Sequence, residues 1–203
     1  MSDVTWINWL VISLTILPFL FINLNDWREI HFFNFFCYSA LVIFPTSLVF
    51  LNTIKFWPTL IFIISYFPLF YLCAQDLKRL EVSRYSLFFG SIIHFVWILD
   101  SFLQHEKPYL FFENIFLIML VLISIKLVEK LRKKIIMGDA DPIVIVISIL
   151  GLTFEQSILW LFLVACLPIL FFWNRLIKSP LVKIPFIPFC ISAKLFAIVF
   201  YGW

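Results

Sequence analysis

Two regions of this chain hold aspartates that could supply a pair of carboxylates to one reaction. Asp76 ends an apolar run and is followed closely by Lys78 and Arg79. Asp139 and Asp141 lie in a short segment at the start of another apolar run. Hydrolysis of a peptide bond by paired carboxylates needs one acid and one base around a shared water molecule. Two nearby carboxylates fill these roles because both do not easily ionise together.

Each position taken alone has a simpler interpretation. Asp141 precedes Pro142, and a carboxylate before a proline at the first helical position is typical of a helix N-cap. Asp76, beside Lys78, is typical of a charge at the end of an apolar helix. The combination of the two, on different helices and at one depth, favours a shared site.

The elements that carry these aspartates are strongly apolar. Hydrophobic residues form 64% of the 203 positions and charged residues 13%, whereas soluble domains contain roughly 45–50% and 25%. The mean hydropathy is +1.07, and the apolar residues fall into runs close to the length that crosses a bilayer. The sequence therefore predicts an all-α polytopic membrane protein, with the lipid bilayer as its solvent.

With about 20 residues per crossing, we expect eight transmembrane helices in a single membrane domain, 1–203. The sixth is short, so a seven-helix or a re-entrant arrangement fits the same pattern. The expected ranges are 4–24, 32–52, 56–75, 85–103, 108–128, 136–153, 156–174 and 184–202.

Basic residues test this order, because they collect in cytoplasmic loops. Twelve of the fifteen fall in alternate loops or at the adjoining helix ends. The alternation predicts that both termini are non-cytoplasmic and that Asp76 and Asp141 share the cytoplasmic face. Since the basic residues form no single stripe, the net charge of +3 does not indicate a nucleic acid partner.

Metal and disulfide chemistry find no support in the spacing of the cysteines and histidines. Each cysteine lies alone in an apolar run, and the three histidines do not form a His-Glu-x-x-His motif. We therefore expect no metal site and no other cofactor. The cysteines are Cys37, Cys73, Cys166 and Cys190.

Three segments follow one another in an order that is informative. Asp76 is followed, six and seven residues later, by Val82 and Ser83. Residues 138–141 are Gly-Asp-Ala-Asp, and residues 184–189 are Ile-Pro-Phe-Ile-Pro-Phe. Together they resemble the motifs of the type IV prepilin peptidases and the related archaeal preflagellin peptidases, which belong with presenilin to the GxGD aspartic proteases.

The resemblance implies a role for each segment. Residues 138–141 resemble the Gly-x-Ala-Asp variant of the family motif, which makes Asp141 catalytic with Asp76 and leaves Asp139 at the variable position. A register with Asp139 as the catalytic residue would place Ile136 at the first glycine of the motif, so we prefer Asp141. Gly138 and Ala140 would keep the active-site loop small enough for the substrate backbone to approach. The last segment resembles Pro-Phe-Gly-Pro-Phe, so it implies substrate-proximal positions, namely Pro185, Phe186 and Pro188.

The chain also departs from the family pattern. Ser83 stands where the first motif has a proline, and Ile187 stands where the third has a glycine. Residues 142–144 are Pro-Ile-Val, whereas many members have Val-Lys-Leu after the second aspartate. The chain also lacks the paired cysteines of the zinc-bearing cytoplasmic loop in larger members, so the resemblance implies a short, peptidase-only form.

The function that the resemblance implies is cleavage of a prepilin or pseudopilin leader at the face of a bacterial or archaeal cytoplasmic (inner) membrane, by an aspartic endopeptidase without a cofactor. A small cation- or proton-coupled transporter that uses Asp76 and Asp141 is the alternative of a different class. A noncatalytic assembly protein is a third. The sequence leaves the oligomeric state open.

Overall fold

A computed structural model describes residues 13, 16–18, 32–52, 56–105, 109–133, 137–178 and 184–201. These residues are almost entirely helical, and no strand occurs among them. The predicted all-α class is therefore confirmed. The predicted first helix, 4–24, lies outside the described residues except at 13 and 16–18, which are helical.

Seven helices follow one another along the described part of the chain. The first, α1, runs over 32–52 and contains a π-helical turn, Ser39–Ile43, between Phe32–Tyr38 and Phe44–Asn52. The others are α2 Phe56–Arg79, α3 Arg84–His105, α4 Tyr109–Arg132, α5 Asp141–Ile149, α6 Phe154–Lys178 and α7 Ile187–Tyr201. Apart from α5, the helix ends lie within about four residues of the predicted ranges.

Helix α5 corrects the sequence prediction of a helix over 136–153. It has nine residues, Asp141–Ile149, and is therefore about 13 Å long, too short to cross a hydrocarbon core of about 30 Å. Leu150 ends it by turning its backbone to a ψ of 132°. Gly151 follows with a φ of +83°, a conformation that glycine adopts without steric cost.

Helix α6 begins immediately after this break, with a reciprocal cap. The Thr153 N–H donates to Oε1 of Gln156 (2.8 Å), and the Gln156 N–H donates to Oγ1 of Thr153 (3.3 Å). This capping box satisfies two amide groups that the first turn of a helix leaves without partners. The Ser157 N–H then donates to the Thr153 carbonyl at 2.9 Å. The sequence between α5 and α6 therefore specifies two helices.

Helix α7 lies at the centre of the fold and packs against α1, α2, α5 and α6. An apolar sequence on every face of a helix is typical of such a buried position. Phe189 packs against the rings of Phe171 and Phe172 of α6, with centroid distances of 6.1 and 5.9 Å. The indole N–H of Trp160 donates to the Cys190 carbonyl at 2.9 Å. The same helix carries one buried charge, Lys194.

The outer surface is apolar on several helices. One described helix, Phe154–Trp173 within α6, is long and apolar enough to cross a membrane, while Phe35–Leu48 and Ile187–Tyr201 are shorter apolar helices. Large apolar side chains also line the outside of α3 and α4, and soluble monomers rarely expose large contiguous apolar patches. Among them are Phe88, Phe89, Phe95, Val96, Phe112, Phe116, Met119 and Ile123.

Helices α2 and α3 approach each other closely where Gly90 faces Pro68. A Cβ atom added at Gly90 would lie 3.2 Å from Cβ of Pro68 and 3.4 Å from Cδ1 of Leu72. Both distances are tight, and the proline ring has little freedom to move away. The absence of a side chain at position 90 thus sets the distance between the helix that carries Asp76 and its neighbour.

We expect Gly90→Val to lower the free energy of unfolding by about 1–3 kcal/mol, because a branched side chain overpacks this contact. The measurement is thermal or denaturant unfolding in detergent, followed by tryptophan fluorescence. Phe89→Val is the matched control, since Phe89 is adjacent in sequence and 61% exposed. Equal stability of the two variants would contradict the close approach.

Candidate functional site

Asp76 lies near the end of α2, just beyond the apolar run 56–75, and is only 7% exposed. Its Oδ2 atom accepts the backbone N–H of Ile187, the first residue of α7, at 2.8 Å. The N-terminus of a helix favours negative charge through its free amides and its dipole. The first turn of the central helix α7 therefore binds the Asp76 carboxylate.

The chain turns sharply after Asp76. Leu80 has a φ of +54°, the left-handed conformation that ends many helices and is uncommon for a leucine. Its N–H donates to the Asp76 carbonyl at 2.9 Å. The Gln75 side chain accepts the Ser83 N–H at 3.3 Å, and the Ser83 carbonyl begins α3 by accepting the N–H of Leu87. These hydrogen bonds stabilise the short connection between α2 and α3.

Asp141 is the first residue of α5, at the other side of the site. Its Oδ2 atom accepts the Gly138 N–H at 2.8 Å, while its own N–H donates to the Gly138 carbonyl at 3.2 Å. Ala140, not Asp141, occupies the N-cap position. The N-cap interpretation of Asp141 is therefore wrong by one residue, because the carboxylate bonds back to the preceding loop.

Glu129 of α4 fastens the loop that precedes Asp141. One of its oxygens, Oε1, accepts the Met137 N–H at 3.1 Å, and Oε2 accepts a hydrogen bond from Nζ of Lys126 at 2.7 Å. The loop is thus fixed to α4 at Met137 and closed on itself at Gly138. Both contacts reduce the freedom of the Asp141 side chain.

The two carboxylates are close enough to influence each other. Burial raises the pKa of Asp76 to about 6; the Ile187 amide opposes this rise, the charge of Asp141 adds to it, and the Phe186 amide again opposes it. Burial also raises the pKa of Asp141, against the effect of the Gly138 N–H. Asp76 is therefore the member of the pair that more readily retains a proton near neutral pH.

The remaining loop residues are more open. Asp139 is exposed, and Ala140 is half-buried. A Cβ atom added at Gly138 would lie 3.5 Å from Oδ2 of Asp141, an ordinary contact. Glycine at this position therefore leaves that side of the Asp141 carboxylate uncovered, and a larger residue would shield it without disturbing the backbone.

The third motif lies directly beside Asp76. Pro185 and Pro188 are buried and Phe186 is half-buried at the start of α7. Neither proline has an N–H to donate, so the amide groups of Phe186 and Ile187 are the ones at this end that favour the charged form of Asp76. The structure thus brings the segment 184–189 next to the first aspartate, from 111 residues away in sequence.

Sequence patterns gave no indication of two of these contacts, or of the partners of Lys194 in the central helix. The Ile187 contact uses a backbone amide, which no residue type marks. Glu129 has the appearance of a solvated partner of Lys126 three residues earlier. Lys194 stands out as a charge in an apolar run, but its partners lie on two other helices. Among the described residues, no group of three His, Cys, Asp or Glu side chains could hold a metal ion.

Comparison of the chain with protein-family models, with curated proteins and with solved structures gives no match. Two carboxylates on different helices, with no lysine or arginine in ion-pair contact with either among the described residues, have raised pKa values. Such a pair can hold one proton between an acid and a base.

We expect Asp141→Asn to lower the pKa of Asp76, because the neutral amide removes the charge that opposes ionisation of Asp76. Infrared titration of the protonated carboxyl band measures this pKa, with the band assigned by subtracting the spectrum of Asp76→Asn. Asp139→Asn serves as the matched control and should leave the value unchanged. If the pKa of Asp76 is the same in the wild type, Asp141→Asn and Asp139→Asn, the two carboxylates do not interact.

Proposed function

We propose that the protein is an intramembrane aspartic endopeptidase, resembling the type IV prepilin peptidases, that removes the leader of a prepilin or pseudopilin at the cytoplasmic face of the membrane. The observation that carries this proposal is the convergence of Asp76 and Asp141, from different helices, beside the segment 184–189. All three segments of the sequence resemblance thus lie in or next to one site.

The apolar outer surface supports a multi-pass membrane location. We infer that most of the helices cross the bilayer, that both termini are non-cytoplasmic, and that the end bearing the aspartates faces the cytoplasm of a bacterial or archaeal cell. Lys78, Arg79, Lys130 and Lys133 belong to that end, in agreement with the positive-inside rule. The short α5 favours the re-entrant arrangement for this part of the chain.

The proposed reaction uses one water molecule between the carboxylates. Ionised Asp141 removes a proton from this water, and the resulting hydroxide attacks the scissile carbonyl carbon while protonated Asp76 donates to the carbonyl oxygen. Collapse of the tetrahedral intermediate breaks the C–N bond. Asp76 recovers its proton from the hydroxyl, and Asp141 gives its proton to the leaving amine. Both carboxyl groups therefore return to their starting states, and neither metal nor cofactor takes part in these steps.

The substrate must approach both carboxylates with its backbone extended. The uncovered side of Asp141, beside Gly138, gives access to one of them. Phe186 remains half-buried at the other, beside Asp76. A leader with basic residues would lie at the cytoplasmic end, and the hydrophobic helix that follows it would lie in the bilayer. This placement matches the chemistry of a prepilin, in which a short polar leader precedes an apolar helix.

We expect Asp76→Asn and Asp141→Asn each to lower leader removal by more than about 100-fold, since each removes one partner of the acid–base pair. The chain is co-expressed with a candidate prepilin, and the fraction processed is measured by mass spectrometry. Asp139→Asn is the matched control and should retain activity. Normal processing by Asp76→Asn or by Asp141→Asn, with the wild type active, would contradict the protease proposal and favour a transporter or an assembly protein.

The rate should also depend on pH in a defined direction. Asp76 must be protonated to act as the acid, and its pKa is about 6. We therefore expect kcat/KM to be high just below this pH and to fall as the pH rises through it. At lower pH the activity should fall again as Asp141 becomes protonated, which gives a bell-shaped profile. The measurement uses a leader peptide in detergent micelles. A constant kcat/KM between about pH 5 and 8 would contradict this assignment.

A further inference from the structure

Lys194 is a charged residue inside the central helix α7 and is 1% exposed. Its ammonium group donates to the carbonyl oxygens of Ile147 and Leu150, each at 2.8 Å, and lies 3.0 Å from Nε2 of His94. The partners belong to the end of α5 and to α3. No carboxylate among the described residues forms an ion pair with Lys194.

The three contacts account for the three N–H groups of an ammonium ion. The two carbonyls are acceptors only, and Nε2 of His94 accepts when the ring proton is on Nδ1. The His94 ring also packs edge to face against Tyr66 of α2, with a centroid distance of 4.8 Å. Lys194 thus joins α7 to α5 and α3, and through the His94 ring its surroundings extend to α2.

The end of α5 needs such a donor. A helix leaves its last carbonyls without partners and concentrates negative charge there. In α5 these groups are buried, because Ile147 is 5% and Leu150 also 5% exposed, so water does not reach them freely. An unpaired carbonyl in that position costs free energy. The Lys194 amine supplies a hydrogen bond to each of the two carbonyls.

Helix α7 also contacts Asp76, one of the two aspartates of the site. Its Ile187 amide binds Asp76 at one point, and Lys194, seven residues further along, binds the end of α5. Asp141 is the first residue of α5, about 12 Å from its last residue. Because a nine-residue helix moves as a rigid unit, a shift of its C-terminus shifts Asp141 relative to Asp76.

We propose that Lys194 is a positioning residue, which caps the C-terminus of α5 and thereby holds Asp141 at the distance from Asp76 that catalysis needs. The proposal rests on the proposed function for its effect on the reaction. Its structural part, the control of the distance between the two carboxylates, stands on the contacts of Lys194 alone.

Lys194→Met tests the proposal, because methionine keeps an apolar stem of similar length and removes the ammonium group. We expect kcat for leader removal to fall at least about 10-fold with KM within about twofold of the wild type, since a displacement of about 1 Å in a catalytic group is costly to the chemical step. Lys130→Met makes the same substitution at an exposed residue of α4 and should leave both constants unchanged.

A second measurement needs no substrate. The drop in the pKa of Asp76 on Asp141→Asn reports the interaction of the two carboxylates, and we expect this drop to be at least halved in the Lys194→Met background. A role in fold stability alone would lower the unfolding temperature and leave the drop unchanged in the folded protein, which would overturn the proposal. Because this readout uses no prepilin, it separates failure of the positioning role from failure of the protease proposal.

Lys194→Gln is a second variant, for use if Lys194→Met folds poorly. Its amide retains two N–H donors for the α5 carbonyls without a charge, so the pKa drop should be intermediate between those of the wild type and Lys194→Met. Absence of folded protein for both variants would assign Lys194 to fold stability and count against the proposal.

Discussion

The hydrogen bond from the Ile187 amide to Asp76 is the contact on which the arrangement of the site depends. It joins the end of α2 to the start of α7, across 111 positions of sequence, and it directs a helix N-terminus at a buried carboxylate. Burial makes the ionised carboxylate unfavourable, while the amide makes it favourable. The opposition of these two effects keeps the pKa of Asp76 at about 6, where the side chain gains or loses a proton easily.

Among the described residues, no lysine or arginine forms an ion pair with Asp76 or Asp141. A lysine or arginine next to Asp76 would favour its charged form and lower its pKa. The basic residues at this end of the molecule, such as Lys78 and Arg79, lie on the last turn of α2, beyond the carboxylate. Amide donors are weaker and neutral, so they orient the aspartates without fixing their charge.

The sequence predicted the helical class and the approximate bounds of most helices, because apolar runs carry that information, and it favoured a shared site for Asp76 and Asp141. The length of α5 was not predicted, since residues 143–152 form a nearly continuous apolar run and hydropathy does not show where within such a run a helix ends. The signal for the break was present in Gly151 and in the capping residues Thr153 and Gln156. Partners of buried polar groups, such as those of Lys194, depend on tertiary structure and leave no local pattern.

A short helix that ends inside an apolar fold is stable only if its terminal groups find partners within the protein. At the break after α5, Lys194 binds two carbonyls and the capping box of α6 satisfies two amides. The Leu152 N–H donates to the Ile149 carbonyl at 3.1 Å. A helix that stopped without these partners would be expected to lengthen or to move toward water, and a movement of the helix would carry Asp141 with it. The polar groups deep in the fold therefore stabilise the point at which α5 ends.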